Sequence, residues 1–131
     1  MSERYLAIKV VMMPRDLNPA QTIFGGVLLS YIDQAAAIGA RHEINLLGSA
    51  CDLIVTVAMN KIEFHKPVLV GDVVSFRTRP VRLGRTSITM HVAVEAERGG
   101  QALDVTEAEV TMVSVVKQPD GTLKPTPIRR E

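Results

Sequence analysis

From Gly25 to Ala40 the chain reads GGVLLSYIDQAAAIGA: glycines, small residues and apolar residues, a few neutral polar ones, and one formal charge at Asp33. At helical spacing Leu28, Ile32, Ala35, Ala36 and Gly39 fall on one stripe with Leu29 beside it, and Val27, Tyr31 and Ile38 make the other flanks apolar. A helix apolar nearly all round belongs in an interior, because no face of it prefers water. The spacing therefore predicts a buried helix of about 16 residues, roughly 24 Å long, which the rest of the chain has to wrap.

The wrapping material is β. Tyr5 to Met13 alternates loosely, is rich in Val and Ile and stops at Pro14, so it reads as a first strand. PRDLNPAQT, with two prolines, Asp16 and Asn18, is a loop with turn chemistry. After a second loop around Asn45 to Asp52, four long β-branched stretches follow: Leu53 to Phe64, Asp72 to Leu83, Thr86 to Glu97 and Leu103 to Lys117. In TSITMHVAVEA the residues Ile88, Met90, Val92, Val94 and Ala96 alternate with Ser87, Thr89, His91, Ala93 and Glu95, the period of a half-buried strand. HKPVLVGD, LGRT and RGGQ supply the turns. The predicted order is β-α-β-β-β-β, one helix against an antiparallel meander whose strands extend about 36 Å.

One helix covers one sheet face, yet Leu53 to Phe64 is apolar on both, with Leu53, Val55, Val57 and Met59 on one side and Ile54, Ala58, Ile62 and Phe64 on the other. Part of that strand is expected to be buried by another subunit. The tail from Gln118 to Glu131, ending GTLKPTPIRRE, is expected to be extended or mobile.

With 131 residues the chain reads as a single domain, 1–131, long enough to bury about two-thirds of the surface it exposes unfolded. Fifteen basic residues against fourteen acidic ones leave +1, so no global field holds this chain on nucleic acid or an anionic membrane. The N-terminal MSERYLAIKVVMMP lacks a signal peptide's long apolar core, and the helical run falls short of the ~20 residues of a membrane span. Cys51 is the lone cysteine, which suits a reducing compartment, and a cytoplasmic protein is expected.

Against that background Asp33 needs a reason. A carboxylate on a buried helix costs several kcal/mol unless it is paired, hydrogen-bonded or facing a wet cavity. It is either a structural ion pair or groove residue, or a general base or nucleophile in a cleft. Gly25-Gly26 opens the helix, where free N–H groups and the positive dipole end point outward and no side chain blocks a ligand oxygen. The pair is a plain turn into a helix or an oxyanion hole; about 10 Å of rise separates it from Asp33, so one substrate lying along the helix can meet both. LGRTS, Leu83 to Ser87, is a glycine turn followed by a cation and two hydroxyls, which is either a solvated hairpin or a set of donors for phosphate oxygens. His42, His65 and His91 lie far apart without ligand-like spacing, so no zinc site is expected.

The stretches DLNPAQTIFGGVLLSYID, TVAMNKIEFHKPVLVGDVVSF and RLGRTSITMHVAVEAE, in that order, resemble the hotdog-fold acyl-CoA thioesterases, nearest the small bacterial YciA-type enzymes and the cytosolic acyl-CoA hydrolases. The resemblance runs from about Met13 to Val115. It implies an α+β hotdog fold, a long central helix wrapped by a curved five-stranded antiparallel sheet. It also implies edge-to-edge dimers with active sites at their interface, assembling into homohexamers as trimers of dimers. By the same resemblance Asp33 is the general base or the nucleophile of acyl-CoA hydrolysis, Asn18 orients water or carbonyl from the other subunit, and the Gly26 backbone N–H holds the oxyanion. Arg85, Thr86 and Ser87 would contact coenzyme A, with His65 and Lys66 near its pantetheine or nucleotide and Arg129 and Arg130 within reach of the 3′-phosphate. Coenzyme A enters only as part of substrate and product, with no other cofactor and no metal. The chain departs from the family at Pro19 to Thr22, where relatives often carry a glycine and an acid or amide. Two other readings are a hotdog 3-hydroxyacyl-thioester dehydratase or hydratase, which usually needs a histidine beside the acid, and a noncatalytic acyl-CoA-binding module, which normally carries a further domain.

Overall fold

The computed structural model describes residues 4–51 and 53–130, without the side chains of 50, 129 and 130. The elements are β1 (Tyr5–Val11), a 3₁₀ turn (Pro14–Asp16), α1 (Gly25–Leu46), β2 (Ser49–Ala50), β3 (Leu53–Phe64), β4 (Val73–Leu83), β5 (Ser87–Arg98), β6 (Gln101–Lys117), β7 (Leu123–Pro125) and β8 (Arg129–Arg130). The helix starts where the sequence placed it but has 22 residues, about 33 Å, rather than about 16. Beyond Ala40 come the polar Arg41, His42 and Glu43, yet Ile44 continues the stripe of Leu28, Ile32, Ala36 and Ala40 and is buried with them. His42 stacks on Tyr5 of β1 with ring centroids 3.8 Å apart, so the polar turn is tied to the sheet as well. The helix ends at Gly48, whose φ of 69° a residue with a Cβ adopts only at a cost. Among the described residues no helix is long and apolar enough to cross a membrane.

All pairings in the main sheet are antiparallel, in the order β1-β4-β5-β6-β3. The expected meander holds only for β4, β5 and β6. β3 crosses over and pairs with β6, which places it at the far edge and not beside β4. The tail is extended, and it is partnered. β5 begins at Ser87 opposite Val113, so beyond that point one side of β6 has lost its neighbour, and β7 fills the vacated lane by pairing with Val115, Val116 and Lys117. Its backbone satisfies donors and acceptors that would otherwise be left bare. β8 then pairs with β2.

The alternation in β5 is as the sequence predicted: Ile88, Met90, Val92, Val94 and Ala96 are all buried against the helix stripe. Closest approach comes at Gly39, where an added Cβ would stand 2.2 Å from Thr78 Oγ1 and 2.8 Å from Thr78 Cβ on β4. Both distances are below any real contact, so the glycine lets the helix lie directly on the sheet. Gly39→Ala is expected to destabilise the fold by about 2 kcal/mol, overpacking outweighing alanine's better helix propensity of about 1 kcal/mol. Thermal melts of Gly39→Ala, alone and with Thr78→Gly, check this; the second change should recover part of the loss, and an unchanged Tm in the single variant contradicts the packing.

The crossover from β3 to β4 is held by charge. Asp72 is 3% exposed. Arg98 reaches it from β5 with two bonds, Nε to Oδ1 at 3.0 Å and NH2 to Oδ2 at 2.7 Å, and the same NH2 donates to the Pro67 carbonyl at 3.0 Å. The Leu69 amide donates to Oδ2 at 2.9 Å. These bonds hold the Asp72 carboxyl below its usual range, the Arg98 hydrogen bond contributing most. The crossover in turn seats the start of the helix, because the Ile23 amide donates to the Val68 carbonyl at 2.9 Å.

Candidate active site

The first turn of α1 is bare. Phe24 at the N-cap offers no side-chain hydrogen bond and no acid sits in the turn. A Cβ on Gly26 would meet nothing within 4 Å, so its backbone faces open space. Phe64, the last residue of β3, lies beside Gly25, its Cζ 3.5 Å from where a Cβ would stand. Between the helix start and the strand end opens a cleft of about 340 Å³, lined on its walls by Thr22, Ile23, Gly25 and Leu28 and by Phe64 to Val68. His65 and Lys66 thus share one cleft with Gly25 at the helix N-terminus.

Asp33 is partly exposed, and its Oδ1 accepts a hydrogen bond of 2.5 Å from Thr56 Oγ1 on β3. The strand is irregular there. Thr56 lies opposite Met112 and Ala58 opposite Thr111, so Val57 is an inserted residue, a bulge of the kind that re-aims side chains. Gly25 at Phe64 and Asp33 at Thr56 together show that helix and strand run antiparallel; the cleft lies at the Gly25 end of this seam, and Asp33 is not part of its lining. One carboxylate oxygen is held by a hydroxyl, and among the described residues the other has no hydrogen-bond partner. Sequence reasoning missed Thr56. The signal was its place on the helix-facing side with Ile54, a hydroxyl where the alternation calls for an apolar side chain.

Asn18 is used by its own loop. Oδ1 accepts from the Ala20 amide at 2.9 Å and the Thr22 amide at 3.1 Å, and Nδ2 donates to Thr22 Oγ1 at 2.8 Å. None of these bonds reaches Asp33, and among the described residues one Nδ2 proton has no acceptor. The loop turns through Gln21 at φ 66° and closes with a bridge between Leu17 and Ile23. Asn18 therefore shapes the approach to the helix within this chain.

Arg85, Thr86 and Ser87 form the β4–β5 turn. Gly84 donates to the Ser87 carbonyl, the Ser114 amide to Thr86 and the Ile128 amide to Arg85. This turn is at the opposite end of the sheet from the cleft, about 24 Å away along the strands, since Ser87 lies opposite Val113 on β6 and Phe64 opposite Thr106, seven residues further along. One chain thus splits the expected coenzyme contacts into two groups, His65 with Lys66 and Arg85 with Thr86 and Ser87. The expectation for Arg129 and Arg130 concerns side chains outside the described residues.

The histidines are less scattered than the sequence suggests. His65 Nε2 and His91 Nε2 each lie 3.1 Å from an oxygen of Glu107, and Arg4 NH1 is 2.9 Å from His91 Nδ1. Because an arginine only donates, His91 Nδ1 accepts and its Nε2–H donates to Glu107. Hydrogen bonds from His91 first and His65 second hold the Glu107 carboxyl below its usual range. Among the described residues, Glu63, His65 and Glu107 are the group whose ligand atoms, all within 4.8 Å of one another, have spacing suited to a metal ion. The His65 nitrogen in that group is already engaged by Glu107.

Residues 20–103 match the family model described as the thioesterase superfamily. An uncharacterized acyl-CoA thioester hydrolase of Zymomonas mobilis is 44% identical over 87 residues; the match takes in 66% of this chain and 54% of that protein, so the chain spans about half of that relative. The acyl-CoA thioester hydrolase YciA of Salmonella typhimurium is 38% identical over 129 residues, 95% of this chain and 91% of that protein. Among solved structures, a hexameric hotdog fold thioesterase of Campylobacter jejuni is 42% identical with a TM-score of 0.77, over 94% of this chain and 89% of that one.

Proposed function

Because the chain belongs to the thioesterase superfamily, we propose that it is an acyl-CoA thioesterase, hydrolysing acyl-CoA to the free acid and coenzyme A. The observation that carries the reading is the carboxylate of Asp33, held by Thr56 on the same helix whose uncapped first turn, Gly25 and Gly26, borders the cleft. Asp33 takes a proton from water as the water attacks the thioester carbonyl, or attacks the carbonyl itself to give an anhydride that water then opens. The Gly26 N–H stabilises the oxyanion. Collapse of the tetrahedral species breaks the C–S bond and releases the coenzyme as its thiolate. Asn18, through its free Nδ2 proton, orients water or carbonyl. His65 and Lys66 line the same cleft and hold the coenzyme, and Arg85, Thr86 and Ser87 hold it from a neighbouring chain.

The working form is a homo-oligomer, with a hexamer supported by the Campylobacter relative. β3 suits a partner: it is an edge strand with Val57 58% and Phe64 53% exposed. A cytoplasmic setting suits Cys51, which is a free thiol.

Thiol release from short, medium and long acyl-CoAs, followed with a thiol-reactive dye, tests the activity. Release is expected from a range of chain lengths. No release from any ester, with acyl-CoA still bound, contradicts the hydrolase and favours a binding module or a hydratase. Thr56→Val keeps the shape and removes the donor, leaving Asp33 free to rotate. It is expected to lower kcat by about tenfold with little change in KM, the scale of one lost hydrogen bond to a charged group. Steady-state rates decide it; a wild-type kcat in Thr56→Val removes the hydroxyl from the mechanism.

A further inference from the structure

The face of the sheet turned away from the helix carries the odd residues of β5, and there a second cavity of about 500 Å³ is lined by Arg4, Arg77, Arg79, His91, Asp104 and Glu107 among others. Its formal charges balance, three arginines against Glu95, Asp104 and Glu107, but they are not all matched pair by pair. Arg77 is paired with Glu95, Nε to Oε1 at 3.1 Å, and Glu107 is shared by His65 and His91. Arg79 makes no hydrogen bond or ion pair among the described residues. Arg4 donates to an imidazole nitrogen and not to a carboxylate, and Glu107, at the far end of the chain Arg4–His91–Glu107, offsets its charge only in part. The two guanidiniums are near enough for Arg79 to help lower the pKa of Arg4, second to burial. Two arginines that repel each other across a polar cavity are normally held together by an anion that both can grip.

We infer that this cavity binds a phosphate dianion carried on a small polar molecule, gripped by Arg4 and Arg79. Two forked donors match the oxygens and the double charge of a phosphate better than those of a single carboxylate. Asp104 on the same wall is exposed and free of hydrogen bonds among the described residues, so it can accept from hydroxyl or amine groups on the body of the ligand. His65 lines both this cavity and the cleft at the helix start, which puts the anion next to the proposed active site. The inference does not rest on Asp33 or on hydrolysis.

The test is calorimetric titration of the intact oligomer with inorganic pyrophosphate at constant ionic strength. Saturable binding is expected, weakened at least about tenfold by Arg79→Gln and by Arg4→Gln, the scale of a lost charge-assisted hydrogen bond. Arg15→Gln, an exposed charge on the 3₁₀ turn, should leave binding unchanged. Should Arg79→Gln not fold, Arg79→Lys keeps the charge and loses the fork, and an intermediate affinity is expected. No saturable heat, or equal weakening by Arg15→Gln, overturns the site. Competition then identifies the source of the phosphate. Displacement of pyrophosphate by coenzyme A but not by dephospho-coenzyme A assigns it to the substrate's own 3′-phosphate; displacement by neither assigns it to a separate phosphorylated ligand. These heats need no turnover, so an inactive protein that binds pyrophosphate separates this site from the thioesterase reading.

Discussion

Asp33→Asn is expected to lower kcat for acyl-CoA hydrolysis by at least about 100-fold, the usual scale for removing a catalytic acid or base. The change is nearly isosteric, and the amide oxygen can still accept from Thr56, so the site should keep its shape and KM should move little. What disappears is the second carboxylate oxygen as a base or nucleophile, since an amide nitrogen at that position has no lone pair to offer. The comparison is steady-state thiol release for wild type and variant, with melting curves to show that both are folded. Release at the wild-type rate would return Asp33 to a purely structural role, and so would a loss of activity that only matches a loss of fold in the melting curves.

Arg98→Leu is expected to cost about 3 kcal/mol of stability, the low end for breaking a buried pair because a third of the arginine side chain is exposed. The variant leaves Asp72 buried with one remaining donor, the Leu69 amide. For a chain of this length the loss corresponds to a fall in Tm of roughly 10 °C. The pH dependence has a definite sign. The Asp72 carboxyl is depressed in the folded protein, so its contribution is fully present above the ordinary carboxylate range near pH ~4 and is lost as pH falls through the folded value. Melts from pH 7 down to pH 3 should therefore show wild type and Arg98→Leu converging in acid. A constant gap would mean that Arg98 acts through packing of its stem and not through its charge.

The helix, its apolar stripe and the five long strands were legible because they are periodic, and periodicity is a property of neighbouring residues. Strand ends fall within two residues of where the alternation put them. Asp33 and the Gly25-Gly26 opening were legible for the opposite reason: each breaks its surroundings, one by charge and one by the absence of side chains. The rest depends on residues distant in sequence. Thr56 is an ordinary strand threonine until β3 crosses to the far edge and a bulge turns it toward the helix. His65 and His91 are 26 positions apart and meet only because β5 and β6 bring His91 and Glu107 together beside the end of β3. The helix was read short because Arg41, His42 and Glu43 interrupt the composition without interrupting the stripe, and Ile44 keeps the register.

β3 exposes a row of unpaired backbone groups along an edge already rich in apolar side chains. A lone protomer carries that surface as a liability, and association removes it. By mass action, then, the resistance of this protein to heat and denaturant is a property of its concentration as well as of its contacts. Dilution alone should weaken it, so a melting temperature quoted without a protomer concentration would describe the sample more than the molecule.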